Sequence, residues 1–228
     1  GDQQIIYPTI SSDGKWVAYS ASEDGRNFGI YLFNTSTGNT EELVAPAGLT
    51  IQPSFSGNGE KLGYTAPAAD GRNQIHVLDL AHWRKTRELS IQVLSTPEAA
   101  YYPCLSSAGF KATFHLSSGT RENPVQQIAL YDVKSQQLTR MHTSNKSDEP
   151  LMGKAPCFSF GDEKIVFTQK QNNDVWNIFE INTDMTGLRK LTNSLAKDYS
   201  PRYFADGSLL FSSNRDGNFK FYRLTAGL

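Results

Sequence analysis

Cysteine is nearly missing from this sequence. Two thiols, Cys104 and Cys157, in 228 residues cannot supply a disulfide framework or a cysteine-based zinc site. Long apolar runs are missing as well. No stretch approaches the roughly 18 residues that a spanning helix needs, so membrane insertion is not expected. Neither sign of charge dominates: 22 Lys and Arg face 23 Asp and Glu, for a net charge of -1. That balance gives no reason to expect nucleic acid or an anionic membrane surface as partner. There is no Gly-x-Ser-x-Gly elbow, no phosphate loop and no dinucleotide fingerprint. The four histidines, His76, His82, His115 and His142, fall at different places in the repeat described next. Nothing in their spacing predicts convergence on a metal, so neither metal nor cofactor is expected. The opening Gly1-Asp2-Gln3-Gln4 has no initiator Met and no signal-peptide apolar region, and reads as a processed or tagged end.

What the chain does have is a repeat. Its anchor is a Pro preceded by an aromatic or polar residue, then a short strand, then a turn. The copies are Tyr7-Pro8-Thr9-Ile10-Ser11-Ser12-Asp13-Gly14, Gln52-Pro53-Ser54-Phe55-Ser56-Gly57-Asn58-Gly59 and Tyr102-Pro103-Cys104-Leu105-Ser106-Ser107-Ala108-Gly109. Two more follow, Ala155-Pro156-Cys157-Phe158-Ser159-Phe160-Gly161-Asp162, with a shifted turn Gly, and Ser200-Pro201-Arg202-Tyr203-Phe204-Ala205-Asp206-Gly207. After each anchor comes an aromatic or β-branched run such as Trp16-Val17-Ala18-Tyr19, a turn such as Asp24-Gly25-Arg26-Asn27, and a third strand such as Ile30-Tyr31-Leu32-Phe33. Four copies add a fourth strand ending in an apolar residue, as in Glu41-Glu42-Leu43. Short strands separated by Asp-Gly and Asn-rich turns are the hairpin signal. Four strands in about 45 residues is the size of one propeller blade.

The expected fold is therefore all-β, a five-bladed β-propeller with four antiparallel strands per blade. It forms a single domain over residues 1–228, with blades starting near Tyr7, Gln52, Tyr102, Ala155 and Ser200. The fifth copy stops near Leu224 without an evident fourth strand. Residues 2–6 carry the fourth-strand pattern of two polar residues and then apolar ones. The expectation is that they complete the last blade, close the ring and remove its exposed edge.

The pattern Pro-x-aromatic-Ser-x-Asp-Gly, a strand, then Arg-Asp-Gly-Asn resembles the TolB-type propeller repeat. Residues 8–31 and 201–222 match best, and Ser213-Asn214-Arg215-Asp216-Gly217-Asn218 is especially close. The resemblance covers the whole chain. It implies a periplasmic or secreted protein that works as a protein- or peptide-binding scaffold rather than an enzyme. Similar repeats also build oligogalacturonate lyases, so the alternative is a carbohydrate-active enzyme with its site at the channel mouth. Fold likeness does not choose between the two.

In a propeller, the long connections between blades share one face. Here they are residues 44–50, 95–101, 142–154 and 192–199. Loops on a rigid scaffold are where binding usually lives. Tyr7, Gln52, Tyr102 and Tyr199, taken as the residues just before the prolines, are expected to surround the channel mouth on this face. Arg26, Arg72, Arg121 and Arg215 lie in turns on the same side, and Arg202 follows Pro201 directly. Aromatics with arginines suit a protein or peptide partner, or a carbohydrate, and a monomer is expected. The Asp-Gly-Arg-Asn turns lack the Asp-x-Asp-x-Asp alternation of a calcium loop. Ala81-His82-Trp83-Arg84-Lys85-Thr86-Arg87 reads as a solvated basic loop. Cys104 and Cys157 occupy equivalent positions and read as two reduced, buried residues. The alternative is a disulfide, which needs Cα atoms within about 7 Å.

Overall fold

The repeat folds as it reads. A computed structural model describes residues 3–120, 123–143, 146–171 and 174–225. Asp2, Arg121, Asn172 and Asn173 lie outside the described residues. The chain is an all-β five-bladed propeller in which each copy of the repeat makes one antiparallel sheet. The first sheet comprises Gln4–Ile10, Trp16–Ser22, Gly29–Asn34 and Thr40–Val44, in that order. The second comprises Ile51–Phe55, Lys61–Pro67, Asn73–Asp79 and Ile91–Leu94. The third comprises Ala99–Leu105, Lys111–Gly119, Pro124–Asp132 and Gln137–Arg140. The fourth comprises Lys154–Phe158, Lys164–Lys170, Trp176–Asn182 and Arg189–Lys190. Among the described residues the fifth has three strands, Asp198–Tyr203, Leu209–Asp216 and Asn218–Leu224. The chain divides into two compact units, residues 1–112 with 131–137, and residues 113–130 with 138–228.

The anchor motif explains the local geometry. The Ser three residues after each of the first four prolines ends the first strand. Its hydroxyl oxygen accepts the backbone N–H that opens the second strand: Trp16 to Ser11 at 3.0 Å, Lys61 to Ser56 at 3.0 Å, Lys111 to Ser106 at 3.0 Å and Lys164 to Ser159 at 3.1 Å. The turn between them needs a left-handed residue, supplied by Gly14 (φ 70) in the first copy. In the fourth copy Asp162 (φ 64) takes that position, which accounts for the displaced glycine.

The residue before each Pro is also left-handed: Tyr7 (φ 53), Gln52 (φ 62), Tyr102 (φ 57), Ala155 (φ 50) and Ser200 (φ 52). The strand register shifts around this point in the first, second, fourth and fifth sheets. Each first strand thus carries a bulge whose backbone is strained by of order 1 kcal/mol.

The bulge corrects the expected closure. Gln4, Ile5 and Ile6 pair with Ser22, Ala21 and Ser20 of their own blade. They are the upstream half of the first strand, as Ile51 is before Gln52, and not the fourth strand of the last blade. Their polar-then-apolar pattern is shared by both kinds of strand, so it did not discriminate.

Packing repeats with the sequence. Second and third strands pair a ring with a ring: Tyr19 with Tyr31 at 5.8 Å, Tyr64 with His76 at 5.3 Å, Phe167 with Phe179 at 6.0 Å and Phe211 with Tyr222 at 5.9 Å. His76 is thereby a cross-strand packing residue. In the first unit Leu62, Tyr64, Leu78, Leu80 and Trp83 join one buried cluster. The segment expected as a solvated loop is a helix, Leu80–Thr86. Asp79 caps it by accepting the His82 N–H at 2.8 Å, and buried Leu80 and Trp83 hold it down. In the second unit the core runs through Ile165, Val166, Phe167, Ile178 and Ile181. A Cβ on Gly153 would stand 2.6 Å from the Phe167 ring and 3.0 Å from the Thr168 carbonyl oxygen. Gly153→Ala is therefore expected to cost about 1–3 kcal/mol, read as a lower denaturation midpoint with an unchanged m-value.

Candidate functional site

Three of the expected site residues meet in the first unit. Tyr7 and Tyr102 stand on their bulges edge to face, with ring centroids 5.9 Å apart and hydroxyls 3.4 Å apart. Tyr7 is 39% exposed. Gln52 is with them but buried. Its Oε1 accepts the Tyr102 backbone N–H at 2.9 Å and the Thr65 hydroxyl at 3.0 Å. Gln52 therefore fixes the Tyr102 bulge from behind.

The arginines divide by what they already hold. Arg72 makes a salt bridge to Asp70 at 2.6 Å and also donates to the Pro97 carbonyl. Arg26 sits in a turn organised by Asp24, whose carboxylate accepts the backbone N–H groups of Asn27 and Arg26. Those bonds hold the Asp24 carboxyl well below the usual carboxylate range. The Arg26 side chain is exposed.

The connections between blades are pinned by amide side chains that lie outside the repeat's anchor motif. Gln74 is buried. Its Oε1 accepts the Thr96 N–H at 2.9 Å and hydroxyl at 2.7 Å, and its Nε2 donates to the carbonyls of Thr96 and Glu98. Asn177 does the same in the fourth blade, accepting the Ser194 N–H at 3.0 Å and the Thr192 hydroxyl at 3.3 Å. Gln127 occupies the position in the third blade and donates to the Met141 carbonyl at 3.4 Å. A readable signal exists, because an amide precedes Ile75, Ile128 and Ile178 alike.

Tyr199 and Arg215 lie in the second unit. Tyr199 is one position upstream of the pre-proline residue, which is Ser200. It thus matches Lys154 and Tyr101 in the repeat rather than Tyr7 or Tyr102. Its ring stacks on Phe219 at 5.8 Å and meets Trp176 at 5.6 Å. The Lys154 ammonium lies 3.9 Å from the Trp176 ring centre and 4.5 Å from that of Tyr199. Arg215 ion-pairs with buried Asp198 at 3.0 Å and covers the rings of Phe211 and Tyr222. An open cleft of about 380 Å³ is lined by Asp174, Ser194, Lys197, Asn214 and Arg215 among others. Arg202 is exposed and donates to the Pro201 carbonyl at 2.8 Å.

One buried charged group of the second unit is structural. Glu180 is buried and accepts from Arg189 at 2.7 Å, from Lys164 at 3.2 Å and from the Tyr203 hydroxyl. Burial pushes its carboxyl up, but these hydrogen bonds outweigh that and leave it below the usual value. Burial also pushes the His115 imidazole down to about 3, helped by the Lys154 charge. Cys104 and Cys157 are buried and not joined by a disulfide.

Comparison with known proteins agrees with this architecture. No family model matches the chain. A stretch of 81 residues, 35% of this chain, is 28% identical to the Tol-Pal system protein TolB of Francisella tularensis subsp. holarctica, and covers 18% of that protein. Among solved structures, a putative TolB from Agrobacterium tumefaciens superposes with a TM-score of 0.75 at 16% identity, over 98% of this chain and 78% of that one. TolB from Acinetobacter baumannii gives 0.73 at 22% identity, over 98% and 52%. An oligogalacturonate lyase from Vibrio parahaemolyticus gives 0.66 at 17% identity, over 98% and 62%. In its repeat, its blades and its structural neighbours, this chain is a TolB-like β-propeller.

Proposed function

We propose that this TolB-like propeller is a protein- or peptide-binding scaffold acting at the blade ends that carry the pre-proline bulges and the between-blade connections. The observation that carries this reading is the Tyr7–Tyr102 pair. Two large amphipathic rings are presented on backbone that is fixed before any partner arrives. Rigid exposed tyrosines are the residue type that anchors interfaces at low entropic cost. Arg26, exposed in its Asp24-organised turn, is the charged contact at the rim. The similarity to proteins named for the Tol-Pal system supports a periplasmic or secreted setting and an envelope protein as partner.

The test is calorimetric titration of the intact chain with a purified Pal protein. Binding is expected, and the Tyr7→Ala, Tyr102→Ala double variant is expected to bind about tenfold more weakly or worse, with an unchanged melting curve. Absence of binding to the unsubstituted chain would overturn the reading. So would turnover of an acidic oligosaccharide.

A further inference from the structure

Lys154 is a half-buried cation set against aromatic rings. It opens the first strand of the fourth blade, Lys154–Phe158, and its side chain is half-buried. Its ammonium rests against two ring faces, Trp176 and Tyr199. Among the described residues it makes no hydrogen bond or ion pair. Asp174, the acidic group whose field reaches it, is already paired with Lys197. Lys170 adds a further positive charge to the same field. Ring faces offset part of the cost of withdrawing an ammonium from water, but they accept no hydrogen bond as strong as a carboxylate's. Burial accordingly pulls the Lys154 ammonium below its ordinary range, with Lys170 and Lys197 pushing the same way and Asp174 opposing.

Trp176 also walls a cavity of about 340 Å³, together with Pro124, Val125, Met152, Gln169 and Lys170. This hollow is large enough for a side chain or two. Apolar Pro124, Val125 and Met152 meet polar Gln169 and cationic Lys170 across it.

We propose that Lys154, Lys170 and Trp176 form a subsite for an acidic residue of a peptide, the carboxylate on the Lys154 ammonium and a neighbouring apolar side chain in the cavity against Val125 and Met152. Charge complementarity selects the carboxylate. The apolar wall selects a peptide over a sugar, since sugar hydroxyls placed against Pro124, Val125 and Met152 would lose their hydrogen bonds to water without replacement. The subsite does not rest on the Tyr7–Tyr102 pair, and its test needs no Pal.

The readout is the indole N–H signal of Trp176 in a ¹⁵N-labelled intact chain, assigned with Trp176→Phe. Two end-blocked peptides serve as probes, one containing Leu-Glu and its twin containing Leu-Gln. The glutamate peptide is expected to move the signal at concentrations at least about tenfold lower than the glutamine twin, the advantage of a charge-assisted hydrogen bond. Raising the salt should narrow that gap. Lys154→Met, which keeps an unbranched side chain against the rings, should remove the preference for glutamate, and Lys154→Arg should retain it. The proposal is overturned if the two peptides act alike, if neither moves the signal at millimolar concentration, or if Lys154→Met changes nothing. Response to trigalacturonate in place of the peptides would also overturn it.

Discussion

Arg215→Met is expected to destabilise the protein by about 3–5 kcal/mol at neutral pH, because it strips the cation from a buried carboxylate. Asp198 has no exposed side-chain surface, whereas Arg215 is one-third exposed. The arginine's removal therefore leaves the harder charge to solvate. Ser194 would still donate to Asp198 at 2.9 Å, so the carboxylate keeps part of its hydrogen bonding. Contacts of the guanidinium with the Phe211 and Tyr222 rings, 5.1 and 4.6 Å from their centres, would be lost as well. In a chain of this length the melting temperature should fall by about 10 °C or more.

The pH dependence gives the prediction its sign. Burial raises the Asp198 carboxyl, but hydrogen bonds from Ser213, Thr192, Arg215 and Ser194 outweigh it and hold the group below its ordinary value. A group depressed in the folded state contributes stability that is present above its unfolded value. That contribution is lost as pH falls through the folded value. The gap between the natural chain and Arg215→Met should therefore be widest near pH 7 and shrink under acid. Urea titrations at several pH values measure it, and a gap that grew on acidification would contradict the assignment.

Gln52→Ala is expected to cost about 2–4 kcal/mol, an effect on stability and not primarily on binding. Its amide oxygen serves two donors, the Tyr102 backbone N–H and the Thr65 hydroxyl. Alanine would remove that acceptor from both donors, the Thr65 hydroxyl in a buried place and the Tyr102 N–H in a partly buried one. Alanine also inherits the left-handed φ of 62 without relieving it. Gln52→Gly removes the same hydrogen bonds but suits that backbone, so it should be milder than Gln52→Ala in the native state. Equal losses for the two variants would show that the bulge is not strained at this residue. Loss of Pal binding without loss of stability would return Gln52 to the partner-contacting role its position in the repeat suggested.

The blades were legible because each repeat copy carries its own local instructions. Ser11, Ser56, Ser106 and Ser159 close their turns with residues five positions away, and the pre-proline bulge involves a single strand. Such bonds join near neighbours, so the pattern and the structure coincide. The site was less legible. Tyr7 and Tyr102 meet across 95 positions, whereas the repeat led only to the expectation that both surround the channel mouth. Gln52, placed in the same set by the same logic, turned inward because Tyr102 and Thr65 needed an acceptor. Tyr199, expected among the pre-proline residues, stands one position upstream of Ser200, which holds that place. Strand alternation makes a displacement of one residue a change of side.

By itself the sequence determined the fold class, the five blades, the turns and the anchoring prolines, all written within roughly ten-residue windows and repeated. Tertiary structure alone decided that Gln4–Ile6 pair within their own blade and that residues 80–86 coil into a helix over Trp83. It also decided that the Lys154 ammonium rests against the rings of Trp176 and Tyr199. Those outcomes depend on burial and on charges brought close by folding, and a single stretch of chain encodes neither.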